Sequence, residues 1–253
     1  MQRYFLEVSY NGTAFHGSQL QGDTPTVQLE LNKALSLLLR EEVISFGASR
    51  TDEGVHALSA FYHFDTLQEL HPHLEYKLNA ILPAALAVTG IFRCADPEFN
   101  ARFDAISRTY RYRIYFDKNP FYKERALYYP FRLQDEVLHE TAAVLRNYRD
   151  FESFSKRNTQ SKTFVCTISE SRWERHGDQL HYVVTANRFL RGMVRGLVGT
   201  QLQIARGKGD VSDFISIIEA RDCTKADFSV AGHGLYLEKI SYEPGKLERL
   251  NLK

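Results

Sequence analysis

The chain has 253 residues, 43% of them hydrophobic, and a formal net charge of +1 at pH 7. That length and apolar content suit a globular protein of one large or two ordinary domains with a substantial core. Three widely spaced cysteines, Cys94, Cys166 and Cys223, exclude a disulfide framework and match no zinc spacing. No apolar run reaches membrane-spanning length, and the first residues read as a strand rather than a signal segment, so the cytoplasm is the expected compartment.

Near-neutrality conceals an uneven distribution. Residues 101–210 carry 20 Lys and Arg against 12 Asp and Glu, whereas the remainder carries 12 against 19. Such a basic middle suits a phosphate-binding surface, while global charge says little about a groove.

Residues 4–10 alternate in the manner of a strand and are stopped by Asn11-Gly12. Thr24-Pro25-Thr26 offers a capping hydroxyl and a first-turn proline. Val27, Leu31, Ala34, Leu35 and Leu38 then recur at three- and four-residue steps, predicting an amphipathic helix to about residue 40. Next, strand-like runs at 43–46 and 59–64 flank Gly47-Ala48-Ser49-Arg50-Thr51-Asp52-Glu53-Gly54-Val55-His56-Ala57. A charged segment emerging from sheet on both sides is where loop chemistry usually sits. Arg50 and Asp52 are two apart, which in an extended backbone puts both side chains on one face. A carboxylate held beside a guanidinium stays ionised at neutral pH and can serve as nucleophile or base. The same residues also suit an ordinary solvated turn.

Further on, 76–81 predict a short helix ended by Pro83, and 86–93 a strand. His71 and His73 flank Pro72 without a third ligand, which reads as a polar loop rather than a metal site. Period two across 107–116 puts Tyr110, Tyr112, Ile114 and Phe116 on one face and Thr109, Arg111, Arg113 and Tyr115 on the other. Arginines interleaved with aromatics suit RNA, because guanidinium groups meet phosphates and rings stack on splayed bases. Residues 135–148 support a helix, 158–161 a mobile polar loop, and 164–175 with 180–187 a hairpin around His176-Gly177-Asp178. Trp173, the single tryptophan, is expected to pack on the sheet.

Residues 187–200 predict a helix with an apolar stripe through Leu190, Met193, Val194, Leu197 and Val198, and with Gly192, Gly196 and Gly199 opposite. Helical glycines cost about 1 kcal/mol each relative to alanine, which close approach of another backbone would offset. Arg191 and Arg195, four apart on so buried an element, call for an anion. Asp210 then caps a helix through Val211, Phe214, Ile215 and Ile218. The pattern alone supports a mixed α+β protein.

Several of these stretches carry a resemblance. Arg50-Thr51-Asp52-Glu53-Gly54-Val55-His56-Ala57 is similar to the Arg-Thr-Asp-x-Gly-Val-His-Ala signature of the tRNA pseudouridine synthase A family. Thr26-Val27-Gln28, Asn79-Ala80-Ile81-Leu82-Pro83, Arg108-Thr109-Tyr110-Arg111-Tyr112, Asp150-Phe151-Glu152-Ser153-Phe154, the segment 187–200 and Gly234-Leu235-Tyr236-Leu237 resemble further family motifs. The resemblance therefore spans about residues 4–242. It implies a pseudouridine synthase fold of two α/β subdomains sharing a central antiparallel sheet, with an RNA-binding cleft. The first, 1–105, would carry the Asp52 loop, and the second, 106–253, the basic strand and the arginine-rich helix. It implies isomerisation of uridine to pseudouridine in the anticodon stem-loop of tRNA. The enzyme would be a cytoplasmic homodimer that uses no cofactor or metal and engages neither DNA nor membrane. Asp52 falls at the family's catalytic carboxylate, Arg191 at the arginine paired with it, and Tyr110 at the ring stacked on the target base; Arg50 would help orient Asp52. Arg111, Arg188, Arg195, Gln19 and His56 are the residues implied to bind substrate.

Two positions depart from the family pattern. Ser18 stands where a Gly-Trp-Gln segment has Trp, and Glu53 stands where Ala is usual. Both are expected beside the RNA path, where losing an indole and gaining a carboxylate weaken binding. That leaves two alternatives, a catalytically altered RNA-binding paralogue and a synthase with a shifted RNA target. A hydrolase, with Glu53 as the second carboxylate, is a third.

Overall fold

Alternation decides the first strand, β1 (Gln2–Tyr10), which buries Phe5, Leu6, Val8 and Tyr10 in the computed structural model. The structure describes residues 1–157 and 162–252, so the loop expected at 158–161 lies outside the described residues. Asn11 ends the strand: its side chain accepts the Thr13 N–H and caps one 3₁₀ turn, Gly12–Ala14. Helix α1 (Val27–Leu39) starts where expected, at Thr26, whose hydroxyl accepts the Leu29 N–H at 3.3 Å, and stops at Arg40 in the left-handed region. Its buried face is Val27, Leu31, Ala34, Leu35 and Leu39, not Leu38. Each leucine there contributes about 2 kcal/mol of burial.

The strand expected at 43–46 shrinks to β2 (Phe46–Gly47), and the one expected at 59–64 lengthens to β3 (His56–Thr66), which takes in His56 and Ala57. After α2 (Leu74–Ile81) comes β4 (Leu86–Cys94). Strand β1 lies between β3 and β4, antiparallel to both. Its register against β3 slips between Val8 and Tyr10, so Tyr10 faces Ala57. A slip of this kind re-aims the side chain at the strand end.

His63, on β3, is 3% exposed, and its Nδ1 accepts the Ala101 N–H at 3.2 Å. Burial, and then the nearby Arg3, lower its pKa to about 4. In the unfolded chain a histidine titrates near about 6.5. The stability contributed by neutral His63 is therefore complete above that pH and is lost as pH falls toward about 4. We expect the urea midpoint to drop between pH 6.5 and 4 more steeply in the native protein than in His63→Gln. Equal slopes for the two proteins would contradict this.

The next segment carries β5 (Ser107–Tyr115), β6 (Leu127–Tyr128), α3 (Asp135–Val144), β7 (Ile168–His176), β8 (Gln179–Ala186), α4 (Met193–Gln203) and α5 (Val211–Glu219). Strand β8 pairs antiparallel with β5 and β7, and β6 runs parallel along β5. The β7–β8 hairpin turns at Gly177-Asp178, with Gly177 at φ +59°. Trp173 packs as expected, 3% exposed, its Nε1–H donating to Gln201 Oε1 at 2.9 Å and its ring 4.9 Å from that of Tyr182.

Helix α4 begins six residues later than expected, because Gly192 adopts the left-handed conformation at its N-cap and the preceding residues 187–192 are not helical. Its glycines serve close approach as anticipated. A Cβ on Gly199 would lie 2.2 Å from the Asp227 carbonyl oxygen, and one on Gly196 2.7 Å from the Phe228 ring. Helix α5 opens with a capping box between Asp210 and Asp213.

The chain ends with β9 (Leu235–Ser241) and β10 (Leu247–Leu250), the latter antiparallel to β4. Two units result, Met1–Ile106 with Leu237–Lys253, and Ser107–Tyr236. The expected division of 1–105 from 106–253 is thus corrected: the C-terminal stretch belongs to the first unit, because β10 pairs back onto β4. Strands of the first unit run in the order β10, β4, β1, β3, β9, and those of the second β5, β8, β7. The mixed α and β fold with a mostly antiparallel sheet is as expected. Among the described residues no helix is long and apolar enough to cross a membrane.

Candidate active site

In the first unit the Asp52 loop is fastened on both sides. Ahead of it, the Ala48 N–H donates to Phe61 O at 2.8 Å. Thr51 is held by three contacts: its N–H donates to Ser18 Oγ at 2.8 Å, its carbonyl accepts the Ser18 N–H at 3.1 Å, and its hydroxyl meets that of Tyr10 at 2.9 Å. Beyond Asp52, the Val55 N–H closes a turn on Asp52 O at 3.2 Å, with Gly54 at φ +79°. His56 Nδ1 then accepts the Gly12 N–H at 3.1 Å.

These contacts relocate several expected site residues. Ser18 is 1% exposed at the wall of a pocket beside this loop, its N–H donating to Thr51 O, its hydroxyl accepting the Thr51 N–H and its carbonyl accepting the Gln28 N–H. His56, expected to bind substrate, is 2% exposed, and the Gly12 N–H on its Nδ1 orders the loop. Asp52 is half-buried, while its neighbour Glu53 is exposed. Arg50 is exposed. It lines a pocket together with Gln19, which is exposed as well.

In the second unit, β5 keeps its expected alternation. Tyr110 is 7% exposed, its ring edge-on to Phe189 at 5.1 Å, and Tyr112 and Ile114 are fully buried. The opposite face is less available to phosphate than its composition implies. Arg111 forms an ion pair with Glu174, and the Arg113 guanidinium lies 3.9 Å from the Tyr236 ring centroid. Arg188 is half-buried and receives its backbone order from Asn187, whose Oδ1 accepts the Arg188 N–H at 2.9 Å.

The two arginines near α4 separate clearly. Arg191 precedes the helix and is exposed. Arg195 is half-buried in the first turn of α4, with Nε donating to Val230 O at 2.8 Å and an Nη to Phe228 O at 3.4 Å. A guanidinium held this way is a fixed positive charge at a helix N-terminus, which is itself suited to an anion. Its backbone partners, residues 228 and 230, lie more than thirty positions along the chain, so sequence spacing gave no sign of them.

One further cluster has metal-type composition: Glu174, His176 and His181, with ligand atoms within 4.8 Å of one another. Its setting is cationic. Burial opposes the Glu174 charge, but Arg111, His176 and Arg172 bring its pKa down to about 2, while burial and then Arg111 lower that of His181 to about 4. Two guanidinium groups already hold the carboxylate, and we assign no metal there.

Comparison with known proteins places these features. Residues 148–243 match a family model described as tRNA pseudouridine synthase. The chain is 43% identical over 244 residues to tRNA pseudouridine synthase A of Parabacteroides distasonis, covering 96% of each protein. It is 41% identical over 249 residues to the Porphyromonas gingivalis protein of the same name, covering 96% of this chain and 98% of that one. With the Bacillus subtilis counterpart the identity is 39% over 243 residues, covering 93% and 97%. The chain belongs to the tRNA pseudouridine synthase A family.

Proposed function

We propose that this protein isomerises uridine to pseudouridine in the anticodon stem-loop of tRNA, with Asp52 as the catalytic carboxylate. The observation that carries the reading is the half-buried Asp52 on a loop pinned at Thr51, Val55 and His56, in a chain 43% identical over nearly its whole length to a tRNA pseudouridine synthase A. The reaction breaks the bond from uracil N1 to ribose C1′, turns the base and joins C5 to C1′. N1 gains a proton and C5 loses one, with no change of oxidation state. A carboxylate can assist by adding to C1′ or by removing a ribose proton. Glu53, the second carboxylate that a hydrolase would need, is exposed to solvent beside the half-buried Asp52.

The target base must leave its stack to react. Tyr110 is the ring we assign to receive it, and Arg195 the fixed cation of the reaction in place of the exposed Arg191. We also infer a homodimer acting in the cytoplasm; light scattering that gives a single-chain mass would refute the dimer. Pseudouridine mapping by reverse transcription on tRNA treated with the purified protein tests the main reading. New pseudouridine in the anticodon arm is expected, and modification confined elsewhere or absent would overturn it.

Tyr110 supplies a sharper check. Tyr110→Phe keeps the ring and its edge contact with Phe189, whereas Tyr110→Ala removes both. Stacking of a base on an aromatic ring is worth about 1–3 kcal/mol, so kcat/KM is expected to fall by roughly 10- to 100-fold in the alanine variant and far less in the phenylalanine one. Similar losses in the two variants would remove the stacking role.

A further inference from the structure

Within the first unit, beside the Asp52 loop, lies a pocket of about 160 Å³ whose walls include Phe46, Arg50, Tyr62, Arg102 and Phe103. Its composition is unusual for an idle surface hollow. Phe46 is 54% exposed and Phe103 77% exposed, two large rings left in water at one opening. One side of Phe46 is taken up by His63, stacked at 5.2 Å with 22° between the rings. Arg50 and Arg102 are both exposed at the same opening, and the Arg102 guanidinium lies 5.6 Å from the Phe103 ring centroid.

Tyr62 is 2% exposed, and its hydroxyl, although near Ser18, closes no hydrogen bond of normal geometry among the described residues. That oxygen has no accessible surface, so Tyr62 closes the floor with its ring. Gly47 is what admits the ring: a Cβ there would lie 2.9 Å from Tyr62 Cε1. Two other polar lining groups are already used. The Gln28 side chain bridges Leu20 N–H and Ser45 O, and Asn100 Oδ1 accepts the Arg102 and Phe103 N–H groups.

Exposed rings beside guanidinium groups match an unpaired nucleotide, with a flat base and an anionic phosphate. We propose that this pocket holds a tRNA nucleotide flanking the target uridine, its base against Phe46 and Phe103 and its phosphate at Arg50 and Arg102. The proposal rests on the assignment of the chain as a tRNA-modifying enzyme. Arg50 and Asp52 are two residues apart, a reach of at most about 7 Å between their Cα atoms, so the nucleotide is a near neighbour of the one that reacts.

The test uses the full-length protein with Phe103→Ala and Phe46→Ala. Both rings are largely exposed, so circular dichroism melts should stay close to the native protein. Affinity for tRNA is read by fluorescence anisotropy, first with intact tRNA and then with tRNAs carrying one abasic nucleotide at successive positions around the target. Phe103→Ala is expected to weaken binding of intact tRNA roughly 10-fold. At one flanking position the abasic tRNA should bind native and variant proteins equally, because the base that stacked is gone. Native-like affinity in both variants, or a loss that persists undiminished for every abasic tRNA, would overturn the proposal. Because the readout is binding, a native protein that formed no pseudouridine would refute the assigned reaction and leave this result interpretable.

Discussion

Asp52→Asn is expected to lower the single-turnover rate of pseudouridine formation by at least about 10³-fold, with tRNA affinity changed less than about threefold. The amide is close in shape to the carboxylate, so the turn closed by Val55 N–H on the Asp52 carbonyl and the contacts of Thr51 should persist. What disappears is the negative charge and the lone pair that adds to C1′ or takes up a proton. Both chemical roles predict the same loss. A variant that kept a tenth of the native rate would show that the reaction proceeds without this carboxylate.

Gly12→Ala, a change of one methyl group away from the reacting centre, is expected to have the next largest effect. A Cβ at Gly12 would sit 2.0 Å from the Val55 carbonyl oxygen and 2.9 Å from the Gly54 carbonyl carbon. Either the 3₁₀ turn or the back of the Asp52 loop must move. The Gly12 N–H is also the donor to His56 Nδ1, so the same displacement loosens the downstream fastening. Overpacking of this kind destabilises by about 1–3 kcal/mol, and misplacing a catalytic group by about 1 Å can cost 10²-fold in rate. Thermal melts and kinetics on the same preparation check both expectations. A normal kcat would mean that this clamp does not position Asp52.

The contrast between Gly12 and the more obvious motifs shows what sequence reading reaches. Helix α1, with its Thr26 cap, and the alternation of β5 were legible because the signals are local: a hydroxyl three residues from the N–H it caps, and burial at every second residue. Asp52 and Tyr110 could be singled out through the motifs around them. The supporting contacts could not, because Ser18 and Thr51 are 33 positions apart and Gly12 and His56 are 44 apart. The sequence therefore shows nothing of Ser18 as a fastener of Thr51. Helix α4 was started too early because a glycine reads as a weak helix residue whether it is inside the helix or capping it in the left-handed region. Short strands such as β2 and β10 carry too few residues to show a period, and the return of the C-terminus to the first unit went unseen with them.

The central claim is that this chain rearranges uridine within RNA without releasing anything. Nucleoside analysis of uridine-labelled tRNA after incubation with the native protein tests it most directly. The account predicts that each uridine lost appears as one pseudouridine, with no free uracil and no added cofactor. Release of free uracil in step with the loss of uridine would contradict it and make the protein a hydrolase.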